Sequence, residues 1–183
     1  MASASRGRAE SVSEVLLYVY DLSNGMVEAL SPALIGKELS GLWHTGIVLR
    51  GTEYYYGCLG VDSSPAGKTG LGDPHRVVSL GHTELPHDVC VEYIRDLARY
   101  SYRRSSYDLF RHNCNHFSED LSLFLTGNSI PMDIRELPDD FLSTPMGNMM
   151  HSFQHISDEA LKALEQHSDH EQQRNPQSPR PPQ

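Results

Sequence analysis

The twelve residues Tyr107-Asp108-Leu109-Phe110-Arg111-His112-Asn113-Cys114-Asn115-His116-Phe117-Ser118 carry more structural information than any other stretch of this chain. They run into Leu121, Phe124, Leu125 and Gly127. Apolar residues at 117, 121, 124 and 125 follow the i, i+4, i+7, i+8 spacing of one buried helical face, and Gly127 is suited to the left-handed residue that ends a helix. Asn113 is a good N-cap residue, because its side-chain oxygen can accept from a free N–H of the first turn. Cys114 then stands at the start of a helix. There the unpaired N–H groups and the positive end of the helix dipole favour a thiolate. The bland alternative is a small buried packing residue, the common use of a free cysteine.

Working back along the chain, Trp43-His44-Thr45-Gly46-Ile47-Val48-Leu49 reads as an apolar strand with a histidine near its beginning. From a sheet end, that ring could reach toward the helix start. A histidine base beside a helix-terminal cysteine suffices for acyl transfer: the imidazole takes the thiol proton and returns one to the leaving group. A core histidine bonded to a backbone carbonyl is the competing reading of His44. Further strands are expected at Val15–Tyr20, Glu53–Cys58 and Arg76–Leu80. Asn24-Gly25 predicts a hairpin that pairs Val15–Tyr20 with Met26–Leu30. Ser31-Pro32 predicts a short helix over Pro32–Leu39, ended near Gly41. Ser63–Pro74 reads as a loop, and Pro86–Tyr100 as an amphipathic helix. Early strands and late helices make the fold class α+β.

Histidines 112 and 116 flank Cys114 closely enough to suggest a metal. In a helix the three side chains spread around the circumference, and no second Cys/His pair supplies the fourth ligand that a structural zinc site wants. The two histidines therefore read as flanking polar groups that could tune the thiolate, and Asn113 or Asn115 as donors toward an oxyanion. Gly67-Lys68-Thr69 imitates the end of a phosphate-binding loop, but position 62 holds Asp62 instead of the required first glycine. Cys58 and Cys90 read as buried, inert thiols, and Tyr54-Tyr55-Tyr56 as strand packing.

Composition narrows the possible functions. The 183 residues include 15 Lys and Arg against 24 Asp and Glu, a formal charge of −9 that argues against binding through nucleic-acid phosphates. No apolar run approaches the roughly 18 residues of a membrane span, and the N-terminus lacks the apolar region of a secretory signal. Three cysteines do not form a disulfide framework, so reduced thiols are expected. Residues 1–13 and the Pro- and Gln-rich residues beyond about Gln166 are too polar for a core. The expected organisation is an N-terminal extension over 1–13, a folded domain over 14–153, and over 154–183 a terminal helix at Ser157–Gln166 followed by a polar tail.

Taken together, Tyr18–Ser23, Trp43–Val48, Tyr107–Ser118, Phe124–Gly127 and Leu142–Pro145 resemble the PPPDE family of cysteine peptidases. The resemblance covers about Val15 to Gly147, and its His motif precedes its Asn-Cys-Asn motif by some seventy residues. It implies a permuted papain-like fold, with a small antiparallel sheet and packed helices, and a catalytic dyad at His44 and Cys114 without cofactor or metal. The implied reaction is hydrolysis of the isopeptide bond between a small ubiquitin-like modifier (SUMO) and a substrate lysine, with the backbone N–H of Cys114 as an oxyanion donor. The resemblance further implies SUMO-conjugated protein substrates, a homodimer, and passage between cytoplasm and nucleus through Leu-rich export segments. Leu85–Leu97 and Leu137–Met150 lie where those segments would fall, though their spacing equally fits core helices. Alternatives to the isopeptidase are a protein S-acyl thioesterase using the same cysteine and a non-catalytic modifier-binding module. No third residue that orients the histidine is identifiable in the sequence.

Overall fold

The computed structural model describes residues 12–145 and Met149; the expected helix at Ser157–Gln166 lies outside the described residues. Five strands form one antiparallel sheet in the order β4-β3-β2-β1-β5: β1 (Ser13–Asp21), β2 (Trp43–Leu49), β3 (Thr52–Gly57), β4 (Gly60–Pro65) and β5 (Arg76–Thr83). The helices are α1 (Met26–Ile35), α2 (His87–Asp96), α3 (Cys114–Thr126), α4 (Met132–Arg135) and α5 (Leu137–Leu142). This is the expected α+β architecture, with the histidine-bearing strand preceding the cysteine-bearing helix in the chain. None of the described helices is long and apolar enough to cross a membrane.

Period-2 alternation explains how the sheet holds its core. Val15, Leu17 and Val19 of β1 and Ile47 and Leu49 of β2 face α3 and pack with Phe117, Leu121 and Leu125. All eight of these side chains are at most 4% exposed. Tyr56, also fully buried, packs edge-on against Tyr102 and Tyr107 and sends its hydroxyl to the carbonyl of Arg103 at 2.9 Å. α2 supplies Cys90 and Ile94 to the same core, and a π-type turn over Leu97–Ser101 carries the chain beyond it. Leu97 and Leu137 are likewise buried, so the Leu-rich stretches at Leu85–Leu97 and Leu137–Met150 contribute core side chains where they are described.

The expected hairpin at Asn24-Gly25 does not form. Both residues have left-handed φ angles, 50° and 82°, as a hairpin turn requires, yet Met26–Ile35 is helical. Asp21 decides the outcome. Its carboxylate accepts from the Ser23 N–H at 2.9 Å and the Gly25 N–H at 2.6 Å, while Ser23 Oγ accepts from the Val27 N–H at 3.2 Å. These bonds start a helix. β1 is also paired on both edges, by β2 and β5, which leaves no free side for a hairpin partner. The helix expected over Pro32–Leu39 accordingly begins earlier, keeps Pro32 inside, and ends at Gly36, whose φ is 72°.

Two further expectations need correction. Part of the expected loop at Ser63–Pro74 is strand: Gly60–Pro65 pairs antiparallel with β3 as an edge strand, whose exposure explains its polar sequence. Cys58, expected to be buried in a strand, is exposed in the turn between β3 and β4, whereas Cys90 is buried as expected.

Candidate active site

Helix α3 begins at Cys114, capped by Asn113 in extended conformation. Asn113 Oδ1 accepts from the N–H groups of Asn115 at 3.0 Å and His116 at 3.4 Å, and the Asn113 N–H donates to His116 Nδ1 at 3.3 Å, which completes a capping box. Asn113 Nδ2 also donates to the Leu109 carbonyl at 2.7 Å, so the segment before the helix and the first turn are held together. The N-cap reading is therefore correct. Gly127, with φ 74°, ends the helix as expected.

His44 is the second residue of β2, and it lines the same cleft as Cys114. The cleft encloses about 570 Å³ between α1, the start of α3, and α5. Its walls are mainly apolar, with Leu39, Trp43, Phe110, Leu137 and Phe141 prominent among them. The Trp43 ring lies over Gly41, where a Cβ would approach it to 2.6 Å, and packs against His75 with ring centroids 5.2 Å apart. Among the described residues, nothing hydrogen-bonds the buried Trp43 Nε1–H.

Thr45 projects toward α3 and is fully buried. Its hydroxyl donates to Asn115 Oδ1 at 3.0 Å and lies 2.9 Å from Ser118 Oγ. By alternation His44 takes the other face of the strand. There its ring stands 6.3 Å from the ring of Tyr20, its cross-strand partner, and 6.1 Å edge-on from Tyr55. The Cys114 thiol donates to Asn115 Oδ1 at 3.6 Å. The structure thus brings His44 and Cys114 to one cleft, and among the described residues no hydrogen bond joins imidazole to thiol. No described carboxylate or amide hydrogen-bonds His44 either.

Burial shifts both groups toward their neutral forms. Burial pulls His44 down to about 4, so its imidazole is neutral at neutral pH. Burial pushes the Cys114 thiol up, against the N–H groups of Thr45, Asn115 and Cys114 itself and the Thr45 hydroxyl, all of which favour the thiolate. The helix start therefore offsets part of the desolvation cost without overcoming it, and the resting pair is thiol and imidazole. Nearby Tyr107, also lining the cleft, is raised to about 12 by burial first and then by the proximity of Cys114.

Histidines 112 and 116 lie elsewhere. Together with Tyr102, Glu119 and Asp120 they line a separate polar depression, where the Tyr102 ring stacks on His112 at 4.4 Å and the Tyr102 hydroxyl donates to Asp120 at 2.5 Å. The two histidines and Cys114 do not share one concavity. Glu53, Tyr20 and Thr45 are the site's neighbours that sequence reading missed. Glu53 is fully buried, accepts from the Tyr20 hydroxyl at 2.9 Å and from the Gly67 N–H at 2.9 Å, and so fixes the ring beside His44. Nothing in the run Glu53-Tyr54-Tyr55-Tyr56 signals that the Glu53 carboxylate is enclosed as fully as the Tyr56 ring.

Residues 13–154 match the family model described as the "PPPDE putative peptidase domain". The chain belongs to the PPPDE peptidase family. Among PPPDE relatives, the human protein named desumoylating isopeptidase 1 is 46% identical over 136 residues, 74% of this chain and 81% of its own length. Its Xenopus laevis counterpart is 45% identical over 142 residues, 78% of this chain and 84% of its own. A DeSI-like protein of Schizosaccharomyces pombe is 30% identical over 124 residues, 64% of this chain and 60% of its own. The PPPDE match spans both the His44 strand and the Cys114 helix.

Proposed function

We propose that this chain is a cysteine isopeptidase that releases SUMO from lysines of target proteins, with Cys114 as nucleophile and His44 as general base and acid. The observation that carries the reading is the placement of Cys114 as the first residue of α3, in one cleft with His44. The sequence match to proteins named desumoylating isopeptidase 1 supports the choice of modifier.

On this reading the imidazole swings from the Tyr20 and Tyr55 side toward the sulfur, and accepts the thiol proton as Sγ attacks the carbonyl carbon of the modifier's terminal glycine. The carbon–nitrogen bond to the lysine breaks, and His44 passes the proton to the departing amine. Water then attacks the thioester, which yields the glycine carboxylate and restores the thiol. The N–H of Cys114, the first of α3 and not taken up by the Asn113 cap, faces the developing oxyanion. The imidazole, neutral at rest, is free to take that proton.

A SUMO probe carrying a C-terminal vinyl sulfone tests the assignment. The expected result is an adduct on Cys114, absent in Cys114→Ser and strongly slowed in His44→Ala. Labelling that survives Cys114→Ser refutes the nucleophile, and undiminished labelling in His44→Ala refutes the base.

The apolar cleft favours a second reading, a protein S-acyl thioesterase. An extended glycine-ended tail is slender and polar, whereas 570 Å³ lined by Leu39, Phe110, Leu137 and Phe141 suits an alkyl chain. Release of palmitate from an S-palmitoylated peptide, measured beside release of SUMO from a lysine conjugate, separates the two chemistries; both would be lost in Cys114→Ser. The proposed enzyme acts as a homodimer in cytoplasm and nucleus, which light scattering of the purified chain and imaging of a tagged copy check.

A further inference from the structure

The residues that follow His44 and Cys114 in sequence, Thr45 and Asn115, are hydrogen-bonded to each other across the interface of β2 and α3. Asn115 Oδ1 collects two donors, the Thr45 hydroxyl at 3.0 Å and the Cys114 thiol at 3.6 Å. Asn115 Nδ2 is held by the Ile134 carbonyl at 3.3 Å, so the amide is fixed with its oxygen toward both. Ser118 Oγ lies 2.9 Å from Thr45 Oγ1 and can donate to it. Thr45, Asn115 and Ser118 are each at most 3% exposed, so water does not compete for these bonds.

This arrangement has one mobile part. A threonine hydroxyl carries a single proton that turns about its Cβ–Oγ bond, while its oxygen can stay in place on the Ser118 hydroxyl. With the thiol protonated, the Thr45 proton rests on Asn115. Once the thiol has given up its proton, the sulfur changes from donor to anionic acceptor. A hydrogen bond to an ion outweighs the neutral one it replaces.

We propose that the Thr45 hydroxyl is a switchable donor to Cys114, resting on Asn115 Oδ1 while the thiol is protonated and turning to the sulfur when the proton leaves for His44. The only covalent change in this step is the proton transfer, in which the Cys114 S–H bond breaks and an N–H bond forms on the His44 imidazole; Thr45 keeps its own proton and changes only its hydrogen-bond acceptor. The Thr45 N–H and hydroxyl both favour the thiolate against the burial that opposes it, in accord with this geometry. The inference rests on Cys114 being the nucleophile of the proposed isopeptidase.

The test is the pH dependence of iodoacetamide alkylation at Cys114, resolved from Cys58 and Cys90 by peptide mass spectrometry, in wild type, Thr45→Val and Thr45→Ser. Valine keeps the shape and loses the hydroxyl; serine keeps the hydroxyl. Losing one charge-assisted hydrogen bond should move the Thr45→Val curve up by about one pH unit, so that alkylation at pH 7 is about tenfold slower. Thr45→Ser should return to within about twofold of wild type. A Thr45→Val curve that coincides with wild type overturns the proposal. So does a Thr45→Ser curve that follows Thr45→Val, because then the methyl group and its packing matter. Thr45→Ala, read the same way, replaces valine if that variant does not fold. A wild-type protein that fails to react with the SUMO vinyl sulfone defeats the isopeptidase reading, whereas the alkylation comparison judges the Thr45 switch separately.

Discussion

The Glu53 side chain lies directly over Gly46: a Cβ at position 46 would meet Glu53 Oε1 at 2.6 Å and Glu53 Cγ at 2.9 Å. Glu53 cannot retreat, because it is fully buried and held by Tyr20 and Gly67. Gly46→Ala should therefore destabilise the fold by about 1–3 kcal/mol through overpacking, as read from urea unfolding. A loss near zero would show that the carboxylate can move, and with it the Tyr20 ring beside His44.

The depressed His44 value makes two pH predictions. A base neutral down to about pH 4 should keep kcat/KM for SUMO release free of the inflection near pH 6.5 that an ordinary histidine causes, with the acid limb appearing below about pH 5. Stability should move in a linked way. As pH falls below 6.5, the unfolded chain takes up a proton on His44 that the folded chain refuses until about pH 4, so folding weakens through that window. His44→Gln should remove this part of the slope, at most about 1.4 kcal/mol per pH unit, in urea titrations between pH 7 and pH 4.

Asn113→Ala should cost about 1–2 kcal/mol, since Asn113 satisfies two N–H groups at the start of α3 and ties the helix to Leu109. The same variant should slow alkylation of Cys114 at neutral pH, because fraying of the first turn withdraws the N–H groups that favour its thiolate. Unchanged alkylation in a destabilised variant would separate the cap's structural role from its electrostatic one.

The three thiols should separate by surroundings. Cys114 is buried too but opens on the cleft, whereas Cys90 is fully enclosed in the core and lines neither depression, so Cys90 should resist iodoacetamide until the chain unfolds. Cys58 is exposed and should be modified in the native protein without loss of SUMO release. Modification of Cys114 alone should track loss of activity, which peptide mapping beside an activity assay resolves.

The parts that could be read from the sequence are those governed by neighbours in the chain. The apolar face of α3, its Asn113 cap and its Gly127 end depend on spacing of a few residues, and the structure places them as expected. β2, β3 and β5 were legible for the same reason. The turn at Asn24-Gly25 was misread because its φ angles suit a hairpin and a helix start alike. What separates the two outcomes is the Asp21 carboxylate and the pairing of both edges of β1, and the second of these is a long-range fact. Cys58 was misplaced because a turn between strands hides few signals in Gly57-Cys58-Leu59-Gly60, and burial there depends on what the rest of the fold leaves uncovered.

By itself the sequence determined the α+β class, the helix that begins at Cys114, the histidine strand, and the family that joins them, since each follows from local propensity or from a motif. Only the tertiary structure decided that Cys114 and His44 share an apolar cleft, that His112 and His116 belong to another depression, and that Thr45 meets Asn115. The physical reason is that hydrogen bonds and burial between β2 and α3 join residues about seventy positions apart, and the packing of sheet on helix, which no local spacing encodes, sets which side chains meet and which are denied water.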